Sequence, residues 1–291
     1  MPRPSSLFSP GQAALATRRS RPPRAWSDPG RVAGVIADED ESYPAGDRPN
    51  SAADSPHRRL ADGVRRLTDL MVGRTLPDGE LSRAAAAVTA AADRLERVAV
   101  PGKAPRGQPD HRGHPQDLFP TGPIAGFANP LAPPVRIWAV TGSGGERELR
   151  GRARFGYAYE GPPTCVHGGV LAATFDDVLG AANIVTGHGG MTGTLTVRYR
   201  RPTPLLADLD IVARQTGQEG RKLFCWAGIY HRGELTAEAD GIFVSVSPDQ
   251  MLKMVGANAQ EVGEQVVDTQ LAEFLQHGGE VLGGVDGPPP R

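Results

Sequence analysis

The feature that most restricts the fold is one long apolar helical run set among short strand-like runs. Residues 170–187 read VLAATFDDVLGAANIVTG, and their apolar positions recur every three or four residues. That spacing predicts a helix with one wide apolar face. A helix this apolar has to be covered on most sides, so the rest of the domain must surround it. The predicted face consists of Leu171, Phe175, Val178, Leu179 and Ala182.

Six runs with the two-residue alternation of half-buried strands flank this helix, two before it and four after it. The alternation predicts a sheet with one buried face. One helix on a six-stranded sheet is an α+β fold, in which the other face and the edges of the sheet still need cover. The runs are residues 135–140, 148–160, 192–202, 208–218, 221–231 and 234–247.

Composition and periodicity divide the chain into five segments: 1–57, 58–100, 101–134, 135–248 and 249–291. The first has many prolines and no sustained period, which predicts disorder. The second predicts a helical hairpin, with Asp78 as the N-cap of its second helix. The third is rich in proline and glycine and is expected to be a linker that wraps the fourth, the main domain. The last is expected to form a C-terminal helix and a tail.

The charge balance and the cysteine content exclude several classes of protein. The chain has 32 lysines and arginines against 33 aspartates and glutamates, so no strong positive field recruits nucleic acid. Two cysteines do not build a disulfide framework, which fits a cytoplasmic protein. No run of about 18 apolar residues occurs, so no transmembrane segment is expected.

A histidine–glycine–glycine motif leads into the predicted central helix, and two acids follow two turns later. His167, Gly168 and Gly169 put flexible backbone at the helix N-terminus, where free N–H groups favour negative charge. Asp176 and Asp177 lie in an otherwise apolar run, and a carboxylate is costly to bury unless it is paired or used. The motif predicts an oxyanion site beside a functional acid. The alternative is a solvated face for both acids and a simple loop histidine.

Residues 115–247 resemble a known family. The sequence HGGVLAATFDDVLGAANIVTGHGGMTGTLTVRYRRPTPL, with GPPTCVHGG before it and EGRKLFCWAGIY after it, is similar to the hotdog-fold acyl-CoA thioesterases of the phenylacetate-pathway (PaaI) type. Within that family it resembles in particular the branch called thioesterase superfamily members 4 and 5. The resemblance implies a long helix wrapped by an antiparallel sheet, and hydrolysis of acyl-CoA to free acid and CoA without a cofactor. It also implies a homodimer or tetramer with active sites at the subunit interface.

The same resemblance implies roles for individual residues. Asp176 matches the catalytic carboxylate of the family, which acts as a general base on water or attacks the thioester directly. Thr192 matches the threonine that helps to hold the water or the acid. His167 and Gly168 match the oxyanion side. Asp177 departs from many relatives, which have a small residue there, so the choice of carboxylate stays open, with Asp176 favoured.

Substrate contacts are expected from the glycine motif and from basic residues at strand ends. In thioesterases that this sequence resembles, such basic residues face the phosphates of CoA, and the planar guanidinium of arginine suits phosphate. The alternative is that these cations are merely solvated. The predicted substrate-binding residues are Gly169, Arg200, Arg201, Arg221 and Lys222.

No metal ion is expected, and two other functions stay open. His111 and His114 lie close to two aspartates, but their loop has no firm scaffold and hotdog thioesterases need no metal. The branch that the sequence resembles implies medium- to long-chain fatty acyl-CoA as the substrate, and an aromatic acyl-CoA is the alternative. A non-catalytic acyl-CoA-binding or regulatory hotdog protein, whose accessory helices dock a partner, is the other alternative.

Overall fold

The computed structural model describes residues 55–99, 120–141, 145–247, 249–250 and 253–254. All of these residues belong to a single unit, Glu41–Arg291. The predicted N-terminal disorder, apart from its last three residues, lies outside the described residues, and so do the first part of the predicted linker and the predicted C-terminal helix.

The described residues form, in chain order, two helices, two strands, a third helix and four strands. A short 3-10 turn, Tyr157–Tyr159, lies between the second strand and the third helix. The helices are α1 (Pro56–Gly73), α2 (Asp78–Glu96) and α3 (Gly168–Val185); the strands are β1 (Val135–Thr141), β2 (Arg147–Ala153), β3 (Gly190–Tyr199), β4 (Leu209–Glu219), β5 (Lys222–His231) and β6 (Glu234–Ser245).

The central helix α3 packs its apolar face against one face of the sheet. All five residues of the predicted face are buried, and Phe175, Val178 and Leu179 are completely inaccessible to solvent. The helix contacts strands β2 to β6, and the core is built between them. Gly241 of β6 permits this close approach, because a Cβ at that position would lie only 3.0 Å from the Leu179 side chain. The helical period in the sequence therefore predicted the packing face correctly.

The strands that the structure describes form one antiparallel sheet of six, in the order β1-β2-β4-β5-β6-β3. Strand β3 closes one edge and β1 the other. The ladder between β3 and β6 has a bulge between Thr192 and Thr194, and such a bulge bends the strand and re-aims the side chains beside it. One helix on a six-stranded antiparallel sheet, with helices before the sheet, is the predicted α+β architecture, which is confirmed.

Two local predictions are wrong. The run 148–160 is not one strand, because β2 ends at Ala153, opposite the first residue of β4, and the chain then turns into the 3-10 turn. Asp78 is not the N-cap of α2: Pro77 holds that position without a side-chain hydrogen bond, and Asp78 is the first helical residue. An acid there still interacts favourably with the helix dipole, so the sequence signal was displaced by one residue.

The two helices that precede the sheet differ in how they are held. Helix α1 is capped by Ser55, whose side chain accepts from Arg58 N–H, and it packs on the 3-10 turn. Helix α2 has no buried residue, and Val88 at its centre is 52% exposed. Tertiary contacts therefore hold α1, whereas α2 depends on its alanine-rich sequence for helicity.

Helix α3 is long and apolar enough to cross a membrane by length and mean hydropathy alone. Half of the residues in that window are buried inside the protein, however, as is typical of the core helix of a globular domain.

Replacement of Phe175 by alanine tests the packing of α3. The side chain is fully buried, so Phe175→Ala should lower the free energy of unfolding by about 3–5 kcal/mol. Urea denaturation measures the change. Val88→Ala on the exposed helix α2 is the control and should change stability by less than about 0.5 kcal/mol; equal effects would show that α3 is not the core helix.

Cys225 should resist thiol reagents in the native protein. It is buried, its Sγ–H donates to Asn183 Oδ1 at 2.9 Å, and burial raises the pKa of the thiol to about 12. Reaction needs the thiolate, so a maleimide should label the partly exposed Cys165 first. Mass spectrometry reads the sites, and labelling in urea is the control. Rapid native labelling of Cys225 would contradict this packing.

Candidate active site

The N-terminus of α3 leaves one backbone N–H without a partner among the described residues. Four N–H groups at a helix start have no acceptor within the helix. His167 N–H donates to the Tyr159 carbonyl at 2.9 Å, Gly169 N–H to the imidazole Nδ1 of His167 at 3.0 Å, and Val170 N–H to the His167 carbonyl at 3.0 Å. The remaining group, Gly168 N–H, is available to an anionic or polar ligand.

The side chains around Gly168 fit this role. Since Nδ1 of His167 accepts a hydrogen bond, the neutral imidazole carries its proton on Nε2, which is a second donor. The Gly168 carbonyl accepts from the Tyr199 hydroxyl at 2.8 Å. A Cβ on Gly168 would lie 3.3 Å from the Tyr199 ring, so glycine allows β3 to approach the helix start closely.

Asp176 and Thr192 form a second polar pair two turns along α3. The Thr192 hydroxyl donates to Asp176 Oδ1 at 2.7 Å, and both residues are exposed. Thr192 lies at the bulge of β3, which sets the direction of its side chain. The hydroxyl orients the carboxylate, and no group among the described residues donates to Oδ2, which can therefore accept a proton. The structure therefore brings together the two residues that the sequence proposed as acid and water holder.

Asp177 points to a different part of the molecule. Its Oδ2 accepts from the backbone N–H of Ala125 at 3.1 Å, in the segment that precedes β1. Burial raises the pKa of Asp177, and the charge of Asp176 adds to the rise, whereas the hydrogen bond from Ala125 opposes it. The two adjacent acids thus have different surroundings, and only Asp176 is exposed beside Thr192.

The predicted residues fall into two groups that one chain does not bring together. Gly168 and Asp176 are eight positions apart on one helix, which separates them by roughly 12 Å at a rise of about 1.5 Å per residue. Groups that act on the same carbonyl must lie within about 3 Å of the reacting atoms. Both groups are tied to the edge strand β3, one through Tyr199 and the other through Thr192.

The predicted substrate-binding cations also lie at two ends of β3. Arg200 and Arg201 follow its last residue and pair with Glu238 and Glu234 of the β6 side, the second at 2.6 Å. Arg221 donates to the Ser245 carbonyl at 3.1 Å, and Ser245 pairs with the first residue of β3. Lys222, beside Arg221, is exposed. The three arginines therefore have protein partners within the chain and are not merely solvated, and their contact with the phosphates of CoA stays a prediction.

A cavity of about 430 Å³ lies away from these groups, between α1 and the 3-10 turn. None of His167, Gly168, Asp176 or Thr192 lines it. Its lining includes Leu70, Arg74, Tyr157, Tyr159 and Leu206.

Sequence reasoning missed Tyr199 and Ala125. Each contacts the site through a hydrogen bond between residues far apart in the chain, with 31 positions between Tyr199 and Gly168 and 52 between Ala125 and Asp177. A long-range contact of this kind leaves no periodic signal.

Among the described residues, no group of three or more His, Cys, Asp or Glu side chains could hold a metal ion. His111 and His114 lie outside the described residues.

The variant Asp177→Asn should become more stable relative to the wild type as the pH rises. Because the pKa of Asp177 is raised in the folded protein, the folded state holds the proton more tightly than the unfolded chain, and stability is lost as pH increases through the folded pKa. Asparagine does not ionise and keeps an oxygen for Ala125 N–H. Urea unfolding from about pH 4 to 7 measures the difference; a difference that does not change with pH would contradict this assignment.

Comparison with known proteins gives both sequence and structural relatives. The chain is 36% identical over 91 residues to acyl-coenzyme A thioesterase THEM4 of Xenopus laevis, and 34% identical over 93 residues to that of Bos taurus. These matches cover 31% of this chain and 41% and 38% of the two relatives, so the chain spans about two fifths of their length. No family model matches the sequence.

A solved structure covers much more of the chain. The crystal structure of a thioesterase superfamily protein is similar with a TM-score of 0.56 and 31% identity, over 68% of this chain and 93% of that protein. At this identity and coverage, the similarity extends over almost the whole of the relative. It confirms the predicted hotdog fold and the predicted thioesterase superfamily, whereas the PaaI type stays a prediction. The chain belongs to the thioesterase superfamily.

Proposed function

We propose that this protein is an acyl-CoA thioesterase that hydrolyses acyl-CoA to a free acid and CoA. The observation that carries the proposal is the exposed Asp176 carboxylate of α3, which Thr192 of the edge strand β3 holds. Tyr199 of the same strand holds the start of α3 at Gly168, whose N–H has no partner among the described residues. The name of the THEM4 relatives, acyl-coenzyme A thioesterase, supports the substrate class. A thioester is already activated, so one carboxylate, one water and aligned donors are sufficient chemistry without a cofactor.

In the proposed mechanism, Gly168 N–H and the helix N-terminus polarise the thioester oxygen, and Nε2–H of His167 assists. Asp176 takes a proton from water as the water oxygen bonds to the carbonyl carbon. The tetrahedral intermediate then collapses, the carbon–sulfur bond breaks, and the CoA thiolate leaves and is protonated. The Thr192 hydroxyl keeps the carboxylate oriented throughout. Removal of one oxyanion donor typically costs about 10²–10³ in rate.

The proposed site is composite and needs a second copy of the chain. The separation of roughly 12 Å between Gly168 and Asp176 along α3 prevents both from acting on one carbonyl within one chain. Strand β3 is an edge with most of its residues exposed, and an edge strand readily pairs with another strand. An antiparallel second copy with its two-fold axis near Thr196 would set Tyr199 of one chain opposite Thr192 and the bulge of the other. Each oxyanion group would then meet the carboxylate of the other copy.

The same arrangement provides for the phosphates of CoA. Arg221 and Lys222 lie near the first residue of β3, and Arg200 and Arg201 follow its last residue. Antiparallel pairing brings the two ends together, so cations from both copies converge beside each site. We also assign Gly169, at the start of α3, to the residues that contact the substrate.

We propose a medium- to long-chain fatty acyl group as the substrate, a cytoplasmic location, and a homodimer or tetramer.

Steady-state release of CoA from a panel of acetyl-CoA, palmitoyl-CoA and phenylacetyl-CoA tests the reaction and its substrate. The matched variants are Asp176→Asn and Asp177→Asn, which remove one charge each at neighbouring positions. Asp176→Asn should lower kcat by about 10²-fold or more, because the general base is lost, whereas Asp177→Asn should stay within about threefold, because asparagine keeps the bond to Ala125. The reverse order would assign the base to Asp177.

The outcome across the panel also separates the alternatives. Turnover of palmitoyl-CoA above the others supports the fatty acyl assignment, and preference for phenylacetyl-CoA would replace it with an aromatic one. An absence of turnover with acyl-CoA binding intact would overturn the enzyme and support a binding protein.

A heterodimer of two inactive variants tests the composite site. His167→Ala and Asp176→Asn chains are co-expressed with different tags, and the species that carries both tags is purified. If each site takes its donor from one chain and its acid from the other, this heterodimer has one intact site and about half of the wild-type activity. Homodimers of either variant are the controls. A heterodimer as inactive as the homodimers would place both groups of a site in one chain.

A further inference from the structure

We propose that helix α1 is part of the catalytic apparatus, with Arg65 and Asp177 as positioning residues that hold the segment 120–134 between α1 and α3 and so fix Asp176. The inference rests on the proposed function. It assigns a role to α1, whereas the reacting groups lie on α3 and β3.

We call Arg65, Asp177 and the segment 120–134 that they hold the brace. Arg65 forms its side at α1. Its Nε donates to the Ala132 carbonyl at 3.0 Å, and one terminal nitrogen lies within hydrogen-bond distance of the carbonyls of Gly126, Phe127 and Asn129, at 3.3, 3.0 and 2.6 Å. Its other terminal nitrogen donates to an oxygen of Asp62 at 2.6 Å. The side chain is only 15% exposed.

These contacts require the shape of the arginine side chain as well as its charge. The segment folds on itself through backbone turns, among them Ala128 N–H to the Pro120 carbonyl at 2.8 Å, so that several carbonyls converge on one point. A rigid planar guanidinium with five donors reaches them together, whereas the compact ammonium of lysine offers three. Loss of the guanidinium leaves carbonyls in partly buried positions without a donor, which is unfavourable.

Asp177 forms the side of the brace at α3. Ala125, which is buried in the core, precedes the carbonyls bound by Arg65 and gives its N–H to Asp177 Oδ2 at 3.1 Å. Asp177 is adjacent to Asp176 in the same helical turn. A shift of the segment therefore acts on the turn of α3 that carries the proposed base. Displacement of a reacting group by about 1 Å is enough to cost up to 10²-fold in rate.

A second set of contacts ties α1 to the start of α3. Gly73 lies so close to Tyr157 that an added Cβ would be 2.3 Å from its ring, and a Cβ on Gly156 would be 2.4 Å from Asp69 Oδ1. The two glycines thus seat α1 on the 3-10 turn, whose Tyr159 carbonyl accepts His167 N–H. Helix α1 therefore supports both groups of the proposed site.

The test compares kcat and KM for Arg65→Ala, Arg65→Lys, Asp177→Ala and Asp177→Asn, well below the unfolding temperature of each variant. Arg65→Ala, Arg65→Lys and Asp177→Ala should each lower kcat by about 10-fold or more with KM within about twofold, because orientation of the base is lost and binding is not. Asp177→Asn should retain most of kcat, because its amide oxygen still accepts from Ala125.

The double variant Arg65→Ala with Asp177→Ala should be no slower than the slower single variant, since both act through one segment. Arg83→Ala, which removes an exposed ion pair with Glu80 on α2, is the control and should leave kcat unchanged. Unchanged kcat in Arg65→Ala, or equal losses in Arg83→Ala, would overturn the brace.

Hydrogen exchange separates failure of the brace from failure of the proposed function. Arg65→Ala should speed amide exchange at Ala125 and in the turn of α3 around Asp176, with exchange in β5 unchanged. If the wild type lacks thioesterase activity but shows this change, the proposed function fails and the brace stands as a structural coupling. If the wild type is active and exchange around Asp176 does not change, the brace is wrong.

Discussion

The burial of α3 against one face of the sheet is the interaction on which the rest of the structure depends. Phe175, Val178 and Leu179 are fully buried, and this packing fixes where the helix starts and which of its residues face the edge strand β3. The start is then capped so that, among the residues that the structure describes, only the N–H of Gly168 has no partner, while the exposed side of the helix presents Asp176. One apolar contact surface therefore determines the position of both polar groups.

The neighbouring acids of α3 show how helix geometry gives two adjacent residues different surroundings and different roles. Successive residues on a helix point about 100° apart, so Asp176 faces Thr192 and solvent whereas Asp177 faces the segment before β1. The first is exposed, and one of its carboxylate oxygens has no partner among the described residues. The second is partly buried, which raises its pKa, and it accepts a hydrogen bond from the backbone N–H of Ala125. A doubled acid that looked ambiguous in the sequence is a pair of residues with different neighbours.

Much of the fold was predictable because it depends on local periodicity. The face of α3, the six strand-like runs and their division into two and four all follow from spacing, and each is observed. The errors came where the tertiary structure overrides local preference, as in the residues after Ala153, which turn away because β4 offers no further partner. In the site, the pairing of Thr192 with Asp176 agrees with the resemblance, while Tyr199 and Arg65 were not singled out because their contacts join distant segments.

The sequence by itself determined the α+β class, the buried face of α3, the glycine motif at its start and the family, because these depend on neighbours in the chain or on an extended run of characteristic residues. Only the tertiary structure decided which acid is exposed, which N–H has no partner among the described residues, and that both polar groups of α3 are tied to one edge strand, β3. Those properties depend on distances between residues far apart in the chain. No spacing in the sequence encodes such a distance until the sheet has closed around the helix.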